Sequence, residues 1–269
     1  MTPFIIREPE VPALPVVVSI PHAGTWLPPG YAQRLAGEAM RALPMTDWHL
    51  PRLFDFLPAL GVTVIAATVS RFVIDLNRPP AGEALYPGRF ETGLVPLESF
   101  NGEPVFVDPP NVEEIAAARR EIYDPYHAAR RELLARCRDQ GRVIQLDLHS
   151  VTSAANRVSG PLTHEIMLGD RDGTSCAPWL SAAAEAACAE AGFSVTRNAP
   201  YKGGWVTASC VDQAAVQALQ IEMSWAVYMD PKQEPVTAVN APLFTAAGIR
   251  LRQVFSVLLP SAVHHLRTG

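Results

Sequence analysis

Short runs of β-branched and aliphatic residues recur along the chain, each bounded by Pro, Gly or charged residues. They predict buried strands over 15–20, 62–69, 142–148, 164–168 and 217–223. Between them, apolar residues three and four apart predict helices over 29–43, 47–59, 111–139, 177–191 and roughly 239–259. Asn111, with Glu113 and Glu114 in the following turn, is a helix start, and Pro125 predicts a kink or break inside that helix. The alternation of strand and helix points to an α/β sheet with helices on both faces. Residues 79–110 depart from it. They hold Pro and Gly among short apolar pieces, and predict an excursion of loops or hairpins of the kind that forms the rim of a site. No internal repeat or low-complexity segment is present.

Composition narrows the classes. The chain has 269 residues and a net charge of -5, without the basic footprint of a nucleic-acid binder. Hydrophobic residues make up 48%, but no apolar run is long enough to cross a bilayer. The opening "MTPFIIREPEVPALP" carries acids and prolines instead of a basic segment followed by an apolar one, so no signal peptide is expected. Cys137, Cys176, Cys188 and Cys210 are scattered, with no C-x-x-C spacing. A reduced, cytoplasmic protein without a cysteine metal site is expected, with neither nucleic acid nor membrane as partner.

In open α/β sheets, ligands bind beyond the carboxyl ends of the strands. Those ends carry the polar residues here: His22 after the first strand, "SRFVIDLNRPP" after the second, "IQLDLHS" at the third and "QIEMSW" at a later one. Asp147 and His149 are two apart and share a strand face, so the carboxylate can fix the imidazole's tautomer. Asp75 and Asn77 are likewise read as sharing one face, with Arg78 at the exit and Asp75 placed to orient its guanidinium. Glu222 stands in an apolar strand, where a carboxylate is costly unless paired or functional. Each group alone has a structural reading, as a buried pair or an internal salt bridge. Together, two histidines and an acid can hold one zinc ion with a position left for water. The remaining glutamate then suits a general base, and the arginines suit an anionic substrate.

The ordered set "SIPHAG", "TDWHL", "SRFVIDLNRPP", "LDLHS", "YKGGW" and "QIEMSW", over about 15–255, resembles the N-formylglutamate amidohydrolase family. The resemblance implies a single zinc-hydrolase domain over 1–269. Its fold would be α/β, a mixed, mostly parallel central sheet flanked by helices, zinc-carboxypeptidase-like (phosphorylase/hydrolase-like). The implied activity is metal-dependent hydrolysis of a linear amide, N-formyl-L-glutamate, to L-glutamate and formate, typically late in histidine degradation. His22 and His149 match zinc ligands, Glu222 the catalytic glutamate, and Asn77 with Arg78 the pair that grips the substrate carboxylate. Carboxypeptidase relatives take their acidic ligand three residues after the first histidine, where this chain has Thr25. Asp47 is then the best candidate for the middle ligand, with His49 its rival.

A substrate with two carboxylates calls for more than one anchor, and Arg71, Arg78, Lys202 and Arg89 are available. "NAPYKGGW" reads as a Gly-hinged loop able to bring Tyr201 or Lys202 to the site, or as an ordinary turn. His127 is expected to be a surface or packing residue, and "GDRDG" a turn. Two other functions remain open: a deacylase or carboxypeptidase-like zinc hydrolase acting on another N-acyl amino acid or peptide, and a non-catalytic protein binding a small acidic ligand.

Overall fold

Val16–Ile20 is a strand because it is β-branched almost throughout, and it is buried on both faces because it lies at the sheet centre. The structure, a computed structural model, describes residues 2–211, 213–229, 239 and 241–268. Seven strands run β1 Phe4–Arg7, β2 Val16–Ile20, β3 Thr63–Ala67, β4 Val143–Val151, β5 Ile166–Gly169, β6 Val195–Arg197 and β7 Val216–Ser224. They form one sheet in the order β1-β3-β2-β4-β7-β5-β6. The β3-β2-β4-β7 centre is parallel, whereas β1 joins β3 and β5 joins β7 antiparallel. The expected mixed α/β sheet is therefore present, and all five predicted strands exist. The edge strands β1 and β6 are additions, too short to leave a periodic signal.

The helices are α1 Gly37–Arg41, α2 Leu50–Leu53, α3 Val112–Ala118, α4 Asp124–Arg136, α5 Pro178–Glu190, α6 Trp205–Ala208 and α7 Ala241–Thr268. The helices expected over 29–43 and 47–59 are reduced to single turns. Gly30, Gly37 and Gly61 adopt positive φ, and Pro51 and Pro58 start new turns in place of continuing old ones. The 111–139 prediction holds with a break: Asn111 and Glu114 form a capping box, and a π-helical turn, Arg119–Tyr123, precedes Asp124 and Pro125. Of the helix expected over 239–259, residue 240 lies outside the described residues. The helix also runs through Pro260 to Thr268, because Ala262, Val263 and Leu266 continue the buried stripe of Leu258 and Leu259 past the proline.

The sheet separates two cores. Val16, Val18, Ile144, Leu146, Leu219 and Ile221 face α2, α5 and α7. Val17, Ile65, Val143 and Ala218 face α4 and the segment around Cys210. On this second face the polar residues collect at the carboxyl end. Register pairs Ser19 with Asp147, Asp147 with Gln220, and His149 with Glu222, so β2, β4 and β7 present a polar row there. No described helix is long and apolar enough to cross a membrane.

His127, on α4, is buried against Tyr123 and Tyr126 and donates to the Leu76 carbonyl at 2.9 Å. Burial, and then the charge of Arg130, pulls its pKa down to about 3. An unfolded histidine protonates near 6.5, so below that pH the unfolded chain takes a proton that the folded one refuses. This part of the stability is intact above pH 6.5 and is lost as the pH falls toward 3, by up to about 1.4 kcal/mol per pH unit. His127→Gln should flatten the fall in unfolding free energy between pH 6.5 and 4, measured by urea titration. Equal slopes in variant and wild type would show that His127 does not set it.

Candidate metal and substrate site

The backbone explains why His22 meets Asp47 and not its near neighbour at position 25. After β2 the chain turns through Gly24, where a Cβ would lie 2.2 Å from the Val69 carbonyl oxygen. Glycine is thus required for the chain to pass β3's exit. The His22 carbonyl then accepts from the Asp47 N–H at 3.0 Å, bringing the 45–50 segment beside the strand end. His22, Asp47 and His149 offer ligand atoms all within 4.8 Å of one another, and all three are buried. His149 Nδ1 lies 3.0 Å from Asp47 Oδ2 and His22 Nδ1 lies 3.8 Å from it. His49, the rival, takes φ 63° at the start of α2 and packs edge-on against Phe244, away from the pocket.

The outer ring nitrogens are also held. His22 Nε2 is 2.7 Å from Asp75 Oδ1, and His149 Nε2 is 3.0 Å from Asp147 Oδ2. Each carboxylate keeps a proton on Nε2 and leaves Nδ1 to face Asp47, the arrangement that orients metal-binding histidines. This donor set suits a metal ion: two imidazole nitrogens and one carboxylate, each ring backed by a carboxylate. Burial, and then the Arg71 charge, holds His22 below the usual histidine range. Burial acts the same way on His149, but Asp147 and Asp47 outweigh it and raise that imidazole well above its ordinary value.

Asp75 and Asn77 do not share one face of a strand as expected, because the chain turns there and the Asp75 carboxylate accepts from the Asn77 N–H at 2.8 Å. Asp75 also does not orient Arg78. Its other oxygen pairs with Arg71 Nη2 at 2.5 Å. Burial alone would raise this carboxyl, but Arg71 and then His22 hold it well below the carboxylate range. Arg78 instead donates Nε to the Thr92 carbonyl at 2.8 Å and Nη1 to the Asn77 carbonyl at 3.0 Å. Asn77 is fixed from both ends. Its Oδ1 accepts from Val206 N–H at 2.7 Å, and its Nδ2 donates to Asp147 Oδ2 at 3.4 Å, beside the His149 ring.

Helix residues grip this segment from behind. Arg119, Tyr123 and His127 stand four apart and donate to the carbonyls of Pro80, Arg78 and Leu76 at 3.3, 2.7 and 2.9 Å. The π-helical turn lies between the first two of these donors. His127, expected to be a surface or packing residue, is buried and also holds the backbone that carries Asn77 and Arg78.

One pocket gathers His22, Asp47, His149 and Glu222 with Arg71, Asn77, Arg78 and Tyr201. From residues 79–110, Tyr86, Phe90, Glu91 and Phe100 also line it. Glu222 is buried, and burial first, then the charges of Asp47 and Asp147, against the opposing pull of His149, push its pKa up to about 8. Arg71 stacks on Phe100, and its buried Nε has no partner among the described residues. Burial raises the Tyr201 hydroxyl above its ordinary pKa.

Two candidate anchors are not brought in. Lys202 pairs with Asp172 at 2.8 Å, and Arg89 reaches the Pro200 carbonyl at 3.2 Å; both lie outside the pocket. In the Lys202 loop, Gly203 has φ 115°, and a Cβ at Gly204 would fall 2.2 Å from Asn77 Nδ2. The "GDRDG" segment is a turn, as expected: Asp170 accepts from Gly173 N–H and from Ser181, with neither Asp170 nor Arg171 in the pocket. Gln220 lines the pocket as well, and its signal in the sequence is the same i, i+2 spacing to Glu222 that relates Asp147 to His149.

The model of the N-formylglutamate amidohydrolase family matches residues 14–229. An N-formylglutamate deformylase of Pseudomonas putida is 39% identical over 251 residues, covering 91% of this chain and 92% of the relative. The protein of the same description from Pseudomonas aeruginosa is 38% identical, over 91% and 93% of the two chains. The crystal structure of N-formylglutamate amidohydrolase from Ralstonia eutropha JMP134 superposes with a TM-score of 0.75 at 30% identity, covering 96% of this chain and 99% of that one. A protein of Agrobacterium tumefaciens shares the fold at 19% identity and a TM-score of 0.67, over 96% and 95% of the chains. Ordered motifs, pocket and relatives agree: the chain belongs to the N-formylglutamate amidohydrolase family.

Proposed function

We propose that the protein hydrolyses N-formyl-L-glutamate to L-glutamate and formate, with one zinc ion held by His22, Asp47 and His149. The observation that carries this reading is a single pocket joining two carboxylate-backed histidines and Asp47 to a buried carboxylate and two arginines. A bound zinc ion supplies Lewis acidity and brings the pKa of its water down toward about 7. The chain's own residues do the rest. Glu222 takes a proton from the attacking water as its oxygen bonds to the formyl carbon, and passes it to the amide nitrogen as the C–N bond breaks. Arg78 and Asn77 line the pocket for one substrate carboxylate, and Arg71 and Tyr201 offer further donors.

The test is amine release by the zinc-loaded protein from N-formyl-, N-acetyl- and N-succinylglutamate and from N-formylaspartate. Formylglutamate should be the best substrate, and a chelator should abolish turnover that zinc restores. Preference for another acyl group would favour a related deacylase, and no turnover on any of them a binding protein.

Arg78 gives a prediction within this reading. Two of its donors are fixed on backbone carbonyls and Nη2 bonds to no described residue, so the Nη1–Nη2 end is left for an anion. Arg78→Ala should cost about 2 to 5 kcal/mol in kcat/KM for formylglutamate. Arg78→Lys should recover only part of it, since lysine lacks the fork. A simple formamide without carboxylates should be almost indifferent to both changes. Equal fractional losses on both substrates would reassign Arg78 to support of the fold, leaving Arg71 as the anchor.

A further inference from the structure

Among the described residues, the one hydrogen bond to the Glu222 carboxylate comes from Gln220. Gln220 Nε2 donates to Glu222 Oε2 at 3.1 Å. The two residues are i and i+2 on β7, so they share a face, and both are buried and line the pocket. The orientation of this amide is set by a second bond. Gln220 Oε1 accepts from the Gly204 N–H at 2.8 Å. A backbone N–H can only donate, so the oxygen of Gln220 must face Gly204 and its NH₂ must face Glu222.

Gly204 is in turn fixed by close packing. A Cβ there would overlap the Asn77 side chain, and a Cβ at Gly169 on β5 would fall 2.6 Å from Gly203 N. The next turn, at Val206, donates its N–H to Asn77 Oδ1 at 2.7 Å. One rigid loop therefore holds Gln220 on one side and Asn77 on the other.

We infer that Gln220 is a positioning residue that holds Glu222 in its proton-accepting orientation, locked by the Gly203–Gly204 turn. This rests on the reading of Glu222 as the general base. With Oε2 occupied by Gln220, Oε1 is the oxygen left to take the proton. Without Gln220, the carboxylate would rotate among several orientations, and only a fraction of molecules would be aligned for proton transfer. Alignment errors of this kind cost rate without costing binding. The "YKGGW" glycines then serve catalysis indirectly, by letting the backbone come close enough to hold the amide.

The experiment compares Gln220→Met, close in volume, and Gln220→Leu with wild type for zinc content, kcat and KM on formylglutamate. Each is also combined with Glu222→Gln. The expected result is full zinc content, KM within about twofold, and kcat lower on the order of 10- to 100-fold. In the Glu222→Gln background the same changes should lower kcat no further, because the group they position is gone. An undiminished further loss in that background would overturn the inference and make Gln220 a structural residue. So would an unchanged kcat in both single variants. Loss of zinc, or a change confined to KM, would also overturn it, by placing the effect at the metal ligands or the substrate clamp. The general-base reading fails separately, if Glu222→Gln alone keeps wild-type turnover.

Discussion

Glu222→Gln is expected to lower turnover by a factor on the order of 10² to 10⁴ while leaving zinc content and substrate affinity nearly unchanged. Shape and hydrogen-bonding reach are conserved, since glutamine can still present an oxygen to Gln220 Nε2. What is lost is the ability to take a proton. The pH profile gives a second measure. Burial, with Asp47 and Asp147 nearby, puts Glu222 at about 8 in the metal-free protein. A bound divalent cation favours the charged carboxylate, so the loaded enzyme titrates below that value. A base must be unprotonated to act, so activity should fall as pH drops through the loaded enzyme's value. That limb should be missing from the residual activity of Glu222→Gln. Steady-state kinetics between pH 5 and 9 would decide it, and unchanged turnover would return Glu222 to a structural role.

Much of this site was legible in the sequence because parallel strands concentrate chemistry at one end. A run such as Val16–Ile20 marks a buried strand by its side chains alone, and the first polar residue after it stands at the sheet's carboxyl edge. The period of two on β4 then placed Asp147 and His149 together, as found at 3.0 Å. Interactions between loops were not legible. The Asp47–His22 contact depends on a backbone bond across 25 residues, and the fate of Asp75 depends on the competing demands of Arg71, His22 and its own chain. Lys202 was misplaced for a related reason. Its side chain pairs with Asp172, a direction that position in the sequence does not carry. The short helices failed because glycine and proline broke the pattern faster than the apolar spacing could reveal.

Removing a proposed ligand should be the most damaging change of all. His22→Ala, His149→Ala and Asp47→Ala each take one of three donors from a site whose ligand atoms lie within 4.8 Å of one another. Two remaining donors hold zinc poorly, so bound metal and turnover should both fall nearly to background, as read by elemental analysis after dialysis. Full occupancy in any one variant would remove that residue from the site. Asp147→Asn is milder: it leaves the ligand but loosens the ring behind it, and should weaken zinc binding by about 10- to 100-fold. Proton linkage offers an independent check. Against its burial, Asp147 and Asp47 hold the His149 imidazole well above its usual pKa, so the metal-free site carries a proton that a ligand nitrogen cannot keep. Zinc must displace that proton, and affinity should decline as the pH falls and the protonated form gains. Calorimetry in buffers of different ionisation enthalpy should register proton release on zinc binding near pH 7. In His149→Ala that release should shrink along with the affinity. Binding without proton release in wild type would mean that the ion is taken up somewhere other than between His22, Asp47 and His149.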